Sequence, residues 1–396
     1  MSDTVLALNS GSSSIKFGLF ELSGRDPVLI CRGLLDEHET TPRLIVKNPA
    51  GEDLFEKQRT GSDADSDHLF ADVLAFIEEH FGERHLRAVG HRIVHGGPDY
   101  SGPAELTEDV YAKLEALTPL APLHQPPCLA PVHTIRAIRP ELRQIACFDT
   151  AFHHDLAPPA SRFAIPRRYE QRGVRRYGFH GLSFEYVAGR LAEIAPHLLP
   201  GRTVVAHLGN GASLCALLDG RSIDTTMGLT PLDGLVMGTR CGTIDPGVLL
   251  YLQAQENMSA DAVQHMLYHE SGLLGVSGIS SDMRALLASG EPAAREAIDL
   301  FIFRAAQAVA MMTTALGGLD CLVFTGGIGE HAKEIRRGIG ERLAWLGVRI
   351  DAAANEAARE RIGSADGTVD TFIIPTNEEM TIARHCAALL RERHVA

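Results

Sequence analysis

Apolar and polar positions alternate along this chain in short blocks, and two of the blocks repeat one scheme. Leu6–Leu22 (LALNSGSSSIKFGLFEL) and Val204–Gly220 (VVAHLGNGASLCALLDG) each predict an apolar strand, a Gly/Asn/Ser turn and a second strand. Gly and Asn accept the positive φ of a tight turn. So small a turn leaves successive backbone N–H groups unshielded, a nest for anionic oxygens. Two nests predict a nucleotide's phosphates held between two related domains. A plain hairpin would account for NSGSSS equally well. Lys16 tips the reading, because it lies past the turn on the strand face opposite Ile15 and Phe17 and can reach toward phosphates.

The polar stretch 36–67 predicts strands with exposed loops. Leu69, Phe70, Val73, Leu74, Phe76 and Ile77 recur at helical spacing over 68–80, before a stop at Gly82. Arg87–Gly97 and Gln144–His154 predict buried strands that run into polar loops, where open α/β sheets place ligands. The Pro-rich patch Pro119–Pro131 predicts an ordered loop or hinge, since proline interrupts regular elements. The second half predicts three strands over 202–226 and helices near 248–255, 260–270 and 293–316. A buried strand then turns through Gly326–Gly329 into a helix over 332–346, followed by a strand at 371–375 and a C-terminal helix at 380–393. The apolar run Leu300–Leu316 carries Arg304 and Gln307 and ends in Gly317-Gly318, which predicts a buried helix and no membrane span.

At 396 residues the chain is too long for one ordinary core, so two domains are expected. Its 37 basic and 50 acidic residues give a net charge of −13, which argues against a nucleic-acid surface and makes the placement of each cation informative. The seven cysteines are scattered without a C-x-x-C pair, so reduced cytoplasmic thiols are expected, not disulfides or zinc. Met1 through Asp3 leads straight into a strand with no basic or apolar leader, which fits the same expectation.

Arg92 and His95, His124, His153 and His154, His180, His207 and Arg240 mostly follow apolar strands or lie beside glycines. A lone histidine is more often a satisfied structural group than a catalyst. No two of these named histidines have the H-x-x-x-H spacing of a zinc helix. Asp149 and Glu378 also end apolar strands, and with Asn9 they supply the hard oxygens that Mg²⁺ prefers, directly or through water. The GGIG run at Gly326 is weak alone. After two phosphate hairpins it marks where an adenosine could lie against backbone.

The segments LALNSGSSSIKF, GHRIVHGG, PLAPLHQPP, CFDTAFH, RYGFHGLSFEYV, HLGNGASL, DTTMGLTPLDGLVMGTRCGTIDPG, FTGGIGEH and PTNEEM resemble those of the acetokinase family, in the family's order from Leu6 to Met380. The resemblance implies an α/β, duplicated two-domain actin-like ATPase (ribonuclease H-like) fold with an interdomain active-site cleft. Residues 1–150, completed by the C-terminal helix 380–396, would form one domain, and 151–379 the other, with nucleotide site and dimer surface. It also implies a homodimer that moves a phosphoryl group between ATP and acetate, giving acetyl phosphate and ADP with Mg²⁺ (Mn²⁺ as substitute).

Carried over by position, Asn9 and Glu378 match the Mg²⁺-linked residues, Lys16 a nucleotide contact and Arg92 the carboxylate-binding arginine. Asp149 matches the family's catalytic acid/base, and His180 and Arg240 the transition-state stabilisers; His124 and His207 line the same site. His207, Leu208, Gly209, Asn210 and Gly211, then Asp282, Met283 and Arg284, then Gly326, Gly327, Ile328, Gly329 and Glu330 match the nucleotide segments. Val94, Leu123, Phe179 and Pro231 match the pocket for the acetate methyl. Pro98 stands where many members have Glu, and Cys241 and Thr243 alter the loop that keeps Arg240 and Asp245.

A carboxylate with a pKa near 4 needs no general base at neutral pH. The obstacle is repulsion between two anions, so positioning and charge cancellation carry the catalysis. Asp149 is therefore expected to orient Mg²⁺-bound water and not to abstract a proton. A methyl-sized pocket rejects each added methylene by only about 1–3 kcal/mol, which keeps a propionate kinase as the near alternative. An actin-like ATPase would leave Arg92, His124 and His180 without a role. An acylphosphatase would release phosphate from acetyl phosphate without ADP.

Overall fold

The computed structural model describes residues 2–10, 14–24, 26–36, 43–58, 66–82 and 85–392. The turn residues Gly11–Ser13, and the loops expected over 37–42 and 59–65, lie outside the described residues. The chain forms two compact units, residues 1–154 with 377–396, and residues 155–376. The chain leaves the first unit after His154, not 150, because the strand Arg143–Phe148 is followed by a 3₁₀ turn, Ala151–His153, whose His153 is buried. It re-enters at Asn377, so Glu378, expected in the second domain, belongs to the first.

The first unit contains β1 (Asp3–Ser10), β2 (Ser14–Glu21), β3 (Val28–Asp36), β4 (Arg43–Lys47), β5 (Asp53–Gln58), α1 (Ser66–Phe81), β6 (His85–Ile93), β7 (Ala104–Glu105), α2 (Glu108–Glu115), α3 (Gln125–Ile138) and β8 (Arg143–Phe148). Its sheet runs β5-β4-β3-β2-β1-β6-β8-β7. β1 to β5 form an antiparallel meander, while β6 lies parallel to both β1 and β8. Leu6, Leu8, Ile15, Phe17 and Leu19 pack with Val73, Phe76 and Ile77 of α1 in one cluster, and Lys16 is exposed as the alternation predicts. The C-terminal helix packs on β1 and β6. It crosses where Gly90 has no side chain, since a Cβ there would lie 2.5 Å from both Cys386 Sγ and Ile382 Cγ2.

The Pro119–Pro131 patch is not the expected loop. A 3₁₀ turn covers Thr118–Leu120, and α3 begins at Gln125 with prolines in its first turn. The first N–H groups of a helix have no intrahelical partner, so proline forfeits nothing there. Pro131 lies inside α3 and removes one bond, yet Leu129, Val132 and Ile135 are buried around it and their packing carries the helix through.

The second unit contains α4 (Arg167–Glu170), α5 (Gly181–Ile194), β9 (Arg202–Leu208), β10 (Ala212–Leu218), β11 (Arg221–Thr225), α6 (Pro246–Ala254), α7 (Ala260–His269), α8 (Gly272–Ser277), α9 (Met283–Ala288), α10 (Pro292–Leu316), β12 (Cys321–Thr325), α11 (Gly326–His331), α12 (Lys333–Arg342), α13 (Ala352–Glu356) and β13 (Asp370–Ile373); α14 (Glu378–Glu392) then returns to the first unit. Its sheet runs β11-β10-β9-β12-β13, antiparallel over the first three and parallel thereafter. That is the order and sense of β3-β2-β1-β6-β8, so the repeat read from the two hairpins is a repeat of whole sheets. α10 is long and apolar enough to cross a membrane by length and composition alone. It packs on β9, β10 and β11 through Phe301, Ala305 and Val309, and Gly317 ends it in the left-handed conformation. The glycines expected to turn into a helix are themselves helical in α11, and a break at Ala332 separates them from α12.

Adding one methyl at Gly90 should destabilise the first unit by about 1–3 kcal/mol through overpacking. Gly102, with no atom within 4 Å of a built Cβ, is the control. Urea-unfolding midpoints should fall for Gly90→Ala and stay near wild type for Gly102→Ala.

Candidate functional site

In the first unit the chemistry-bearing side chains gather at the C-terminal ends of β1, β6 and β8. Arg92 Nε donates to Asp149 Oδ1 at 3.1 Å and Oδ2 at 3.0 Å, and its Nη2 donates to Oδ2 at 2.6 Å. Its Nη1 turns to neutral acceptors, Asn9 Oδ1 at 3.3 Å and the Ser10 carbonyl at 3.4 Å. Asn9 Nδ2 in turn donates to Glu378 Oε2 at 2.8 Å and Glu379 Oε1 at 3.1 Å. Glu378 opens α14 and does not close a strand as expected. Burial alone would lower the Arg92 pKa, but the carboxylates of Asp149 and Glu378 overcome it and hold the guanidinium above its ordinary value. Burial pushes the Asp149 carboxyl up from the usual range against the pull of Arg92. Burial also pushes the neighbouring Cys128 thiol up to about 11, so it stays protonated.

These contacts hold Arg92 without a glutamate at position 98, where the Pro98 carbonyl pairs with His154 Nε2 at 2.9 Å. His95 is tied into the loop, its N–H and carbonyl both bonded to the buried Gln125 side chain and its Nδ1 accepting from Gly97 N. Val94 is buried, while Leu123 and His124 are half-buried just before α3. Among the described residues no three His, Cys, Asp or Glu side chains gather to hold a metal. Asn9, Glu378 and Asp149 nonetheless place oxygens of the kind hard divalent cations prefer within one hydrogen-bonded network through Arg92.

In the second unit His180 and His207 stack, ring centroids 4.3 Å apart and planes 19° from parallel. His180 Nδ1 pairs with Ser213 Oγ at 2.8 Å, and His207 Nδ1 with Ser183 Oγ at 2.9 Å. Arg240 Nη1 donates to the carbonyl of buried Pro231 at 2.7 Å. A Cβ on Gly211 would stand 2.8 Å from Arg240 Nη2 and 3.2 Å from His180 Nε2, so only glycine lets both approach the hairpin. Phe179 is buried next to His180. Thr243 Oγ1 donates to Asp233 Oδ1 at 2.8 Å, which keeps the altered loop braced. Arg176 Nη1 steadies its other arm, donating to the carbonyls of Thr225, Thr226 and Met227.

Gly209, Asn210, Asp282, Met283, Arg284, Gly327 and Ile328, from three of the expected nucleotide segments, line one cavity of about 580 Å³. Ser281, Leu287, His331, Ala332 and Glu334 complete it and were missed; helical spacing from Met283 and Ile328 points to Leu287, His331 and Ala332. Leu208, Gly329 and Glu330 support this cavity without lining it. Leu208 is buried in the sheet, and Gly329 packs beneath it. Glu330 folds back so that Oε1 accepts from Gly326 N at 2.9 Å and Thr376 N at 3.1 Å. Lys16 stands exposed on β2 across from Asn9.

Twin sheets of one strand order, with Arg92 near a strand end of the first and His207 near one of the second, define a duplicated actin-like ATPase fold. A profile of the acetokinase family matches residues 4–384. An acetate kinase from Rhodopseudomonas palustris is 52% identical over 97% of this chain and 98% of its own, and one from Methylocella silvestris 46% over the whole of both. Among solved structures, a propionate kinase from Francisella tularensis superposes with TM-score 0.88 at 38% identity, covering 97% of this chain and 98% of that one. An acetate kinase from Porphyromonas gingivalis superposes with TM-score 0.85 at 35% identity, covering 98% and 100%. The chain belongs to the acetokinase family.

Removing the charge of the wholly buried Asp149 leaves the half-buried Arg92 with its main partner neutral, which should cost about 3 kcal/mol. Asp149→Asn should therefore lower the thermal midpoint clearly. Adding Arg92→Leu should recover most of it, and a double variant no better than Asp149→Asn would show that the pair does not carry this stability.

Proposed function

We propose that this protein is an acetate kinase, transferring a phosphoryl group reversibly between ATP and acetate to give ADP and acetyl phosphate. The observation that carries the reading is Arg92, a half-buried arginine whose Nε edge is chelated by a carboxylate while Nη1 meets neutral acceptors. Such a group can take a substrate carboxylate through a planar contact that lysine cannot make. The acetate oxygen attacks the γ-phosphorus as an anion, so no residue need remove a proton. Arg240 and His180 meet the charge on the transferring group. Backbone N–H groups of Asn210, Gly211 and Gly327 take the phosphates, those of Gly209 and Gly326 being bonded to the Gly211 carbonyl and to Glu330, with Lys16 as a further cation and the Asp282–Arg284 turn toward the nucleoside. Mg²⁺, or Mn²⁺ in its place, would be held through Asn9 and Glu378 and supplies neutralising charge to the phosphates. Asp149 holds Arg92 and orients water near that metal. Val94, Leu123, Phe179 and Pro231 take the methyl group.

Propionate is the near alternative, favoured by the likeness to the Francisella propionate kinase. We also infer a cytoplasmic homodimer. Seven free cysteines support a reducing compartment. For the dimer, α6 is apolar and uncharged from Pro246 to Ala254 and none of it is buried, with Leu250 67% and Tyr251 56% exposed. A helix apolar on all sides asks to be covered. In a chain of net charge −13, an uncharged face is where a second copy meets the least repulsion.

A coupled assay should show ATP formed from acetyl phosphate only when ADP is present; phosphate release without ADP would make the protein a phosphatase. In that assay Arg240→Ala should lower kcat by on the order of 10³-fold. Arg92→Ala should mainly raise the KM for the carboxylate in the reverse direction. The exchanged pattern would mean the two roles are swapped. Run with acetate, propionate and butyrate, kcat/KM should fall with each methylene, and a rise with chain length would overturn the acetate reading. Sedimentation should give a dimer for the wild type and a monomer for Leu250→Asp; an unshifted dimer would place the contact elsewhere.

A further inference from the structure

The two histidines beside Arg240 are held by a crossed pair of serines, and we propose that Ser213 is a positioning residue that fixes the tautomer of His180. His180 then meets the transferring phosphoryl group as a neutral Nε2–H donor. The proposal rests on the phosphoryl-transfer reading above.

A neutral imidazole carries one N–H and one bare nitrogen, and only the first can donate to a phosphoryl oxygen. The Ser213 hydroxyl lies 2.8 Å from His180 Nδ1 on a wholly buried side chain. When that hydroxyl donates to Nδ1, the ring proton resides on Nε2. Nε2 is the nitrogen that lies against Gly211 together with Arg240 Nη2. Three neighbours favour the neutral ring. His180 is the N-cap of α5, where the helix dipole presents its positive end. The Arg240 guanidinium approaches the same glycine. The His207 ring lies parallel at 4.3 Å, where two protonated rings would repel.

The brace is reciprocal. Ser183, in the first turn of α5 and wholly buried, pairs with His207 Nδ1 at 2.9 Å, while Ser213 of β10 stands in register opposite His207 of β9. Each imidazole takes its orientation from a serine on the other element, so the start of α5 and the β9–β10 hairpin hold one another. His180 itself adopts φ 58° and ψ 23°, a left-handed conformation that a non-glycine residue keeps only when its surroundings impose it. The Ser213 bond is part of what imposes it. The division of labour follows: Arg240 supplies the charge, and His180 a directed hydrogen bond whose donor is in place before the reaction starts.

The test combines kinetics with nitrogen NMR on the full-length protein labelled in its histidines, His180 being assigned by comparison with His180→Ala. The wild type should show the Nε2–H tautomer at neutral pH. Ser213→Ala should lower kcat at least about tenfold, short of the 10²–10³-fold loss of a whole oxyanion donor. Its KM values for acetate and ATP should stay within about twofold. Ser213→Thr keeps the hydroxyl and should regain most of the rate. In a His180→Ala background the added Ser213→Ala should change the residual rate by less than about twofold, since the two act as one group. An Nδ1–H tautomer or an imidazolium in the wild type would overturn the proposal, as would equal impairment of the alanine and threonine variants. The NMR measurement needs no turnover. A protein inactive on acetyl phosphate would thus sink the functional reading while the tautomer of His180 is still read.

Discussion

A cation available to a ligand has to be held without being neutralised, and this constraint shapes the network around Arg92 at the end of β6. In a chain of net charge −13 an unrestrained arginine would readily meet a carboxylate on both of its edges. Arg92 is given one carboxylate, on Nε and Nη2, and its Nη1 is left to longer bonds with an amide oxygen and a carbonyl. Arg240 Nη1 is steadied by the carbonyl of Pro231. Arg336 shows the opposite use of the same side chain. It is wholly buried, and its donors are spent on the carbonyls of Gly329, Glu330 and Asn355 and on the Asn355 amide. It is a structural clamp with nothing to spare for a ligand.

The two sheets share strand order and sense but spend their equivalent positions differently. β1 and β9 each run antiparallel to the next strand and parallel to a later one. Near its C-terminal end the first carries Asn9, bound to two glutamates, and the second His207, bound to a serine. At the end of β6 the chain presents Arg92, whereas at the end of β12 it turns straight into α11 through Gly326, at φ +76° and with its built Cβ 2.8 Å from the Leu208 carbonyl. One end therefore holds an acid–arginine network and the other a backbone cradle. Duplication fixed where ligands could bind; the residues placed there decided which.

What the sequence made legible was local. The β9–β10–β11 meander and the β1–β2 hairpin were readable because apolar strands are joined by residues that tolerate positive φ. The Pro-rich patch misled because propensity speaks of helix interiors, while prolines in a first turn lose no bond. α5 went unread as a helix, since it starts from a left-handed histidine within a motif that drew attention to chemistry, although Leu182, Phe184, Val187 and Leu191 mark its buried face. The serine–histidine bonds were beyond any local pattern. Ser183 and His207 stand 24 residues apart, and His180 and Ser213 stand 33 apart. Only the folded hairpin brings them together.

The departures from the family pattern show how much of such a site resides in geometry and how little in any one side chain. Glutamate is absent at position 98, yet the Asp149 chelate orients Arg92 without it. Thr243 replaces an acid, and its hydroxyl still ties the loop back to Asp233, whose other oxygen lies 3.5 Å from Arg176 Nη1. Cys241 keeps its bond within the turn, Sγ donating to the Gly242 carbonyl. Each change leaves the neighbouring cation or loop with a bond already in place. Arg92 and the loop that carries Arg240 are thus each held by several bonds, and a change in one supporting group leaves the others in place.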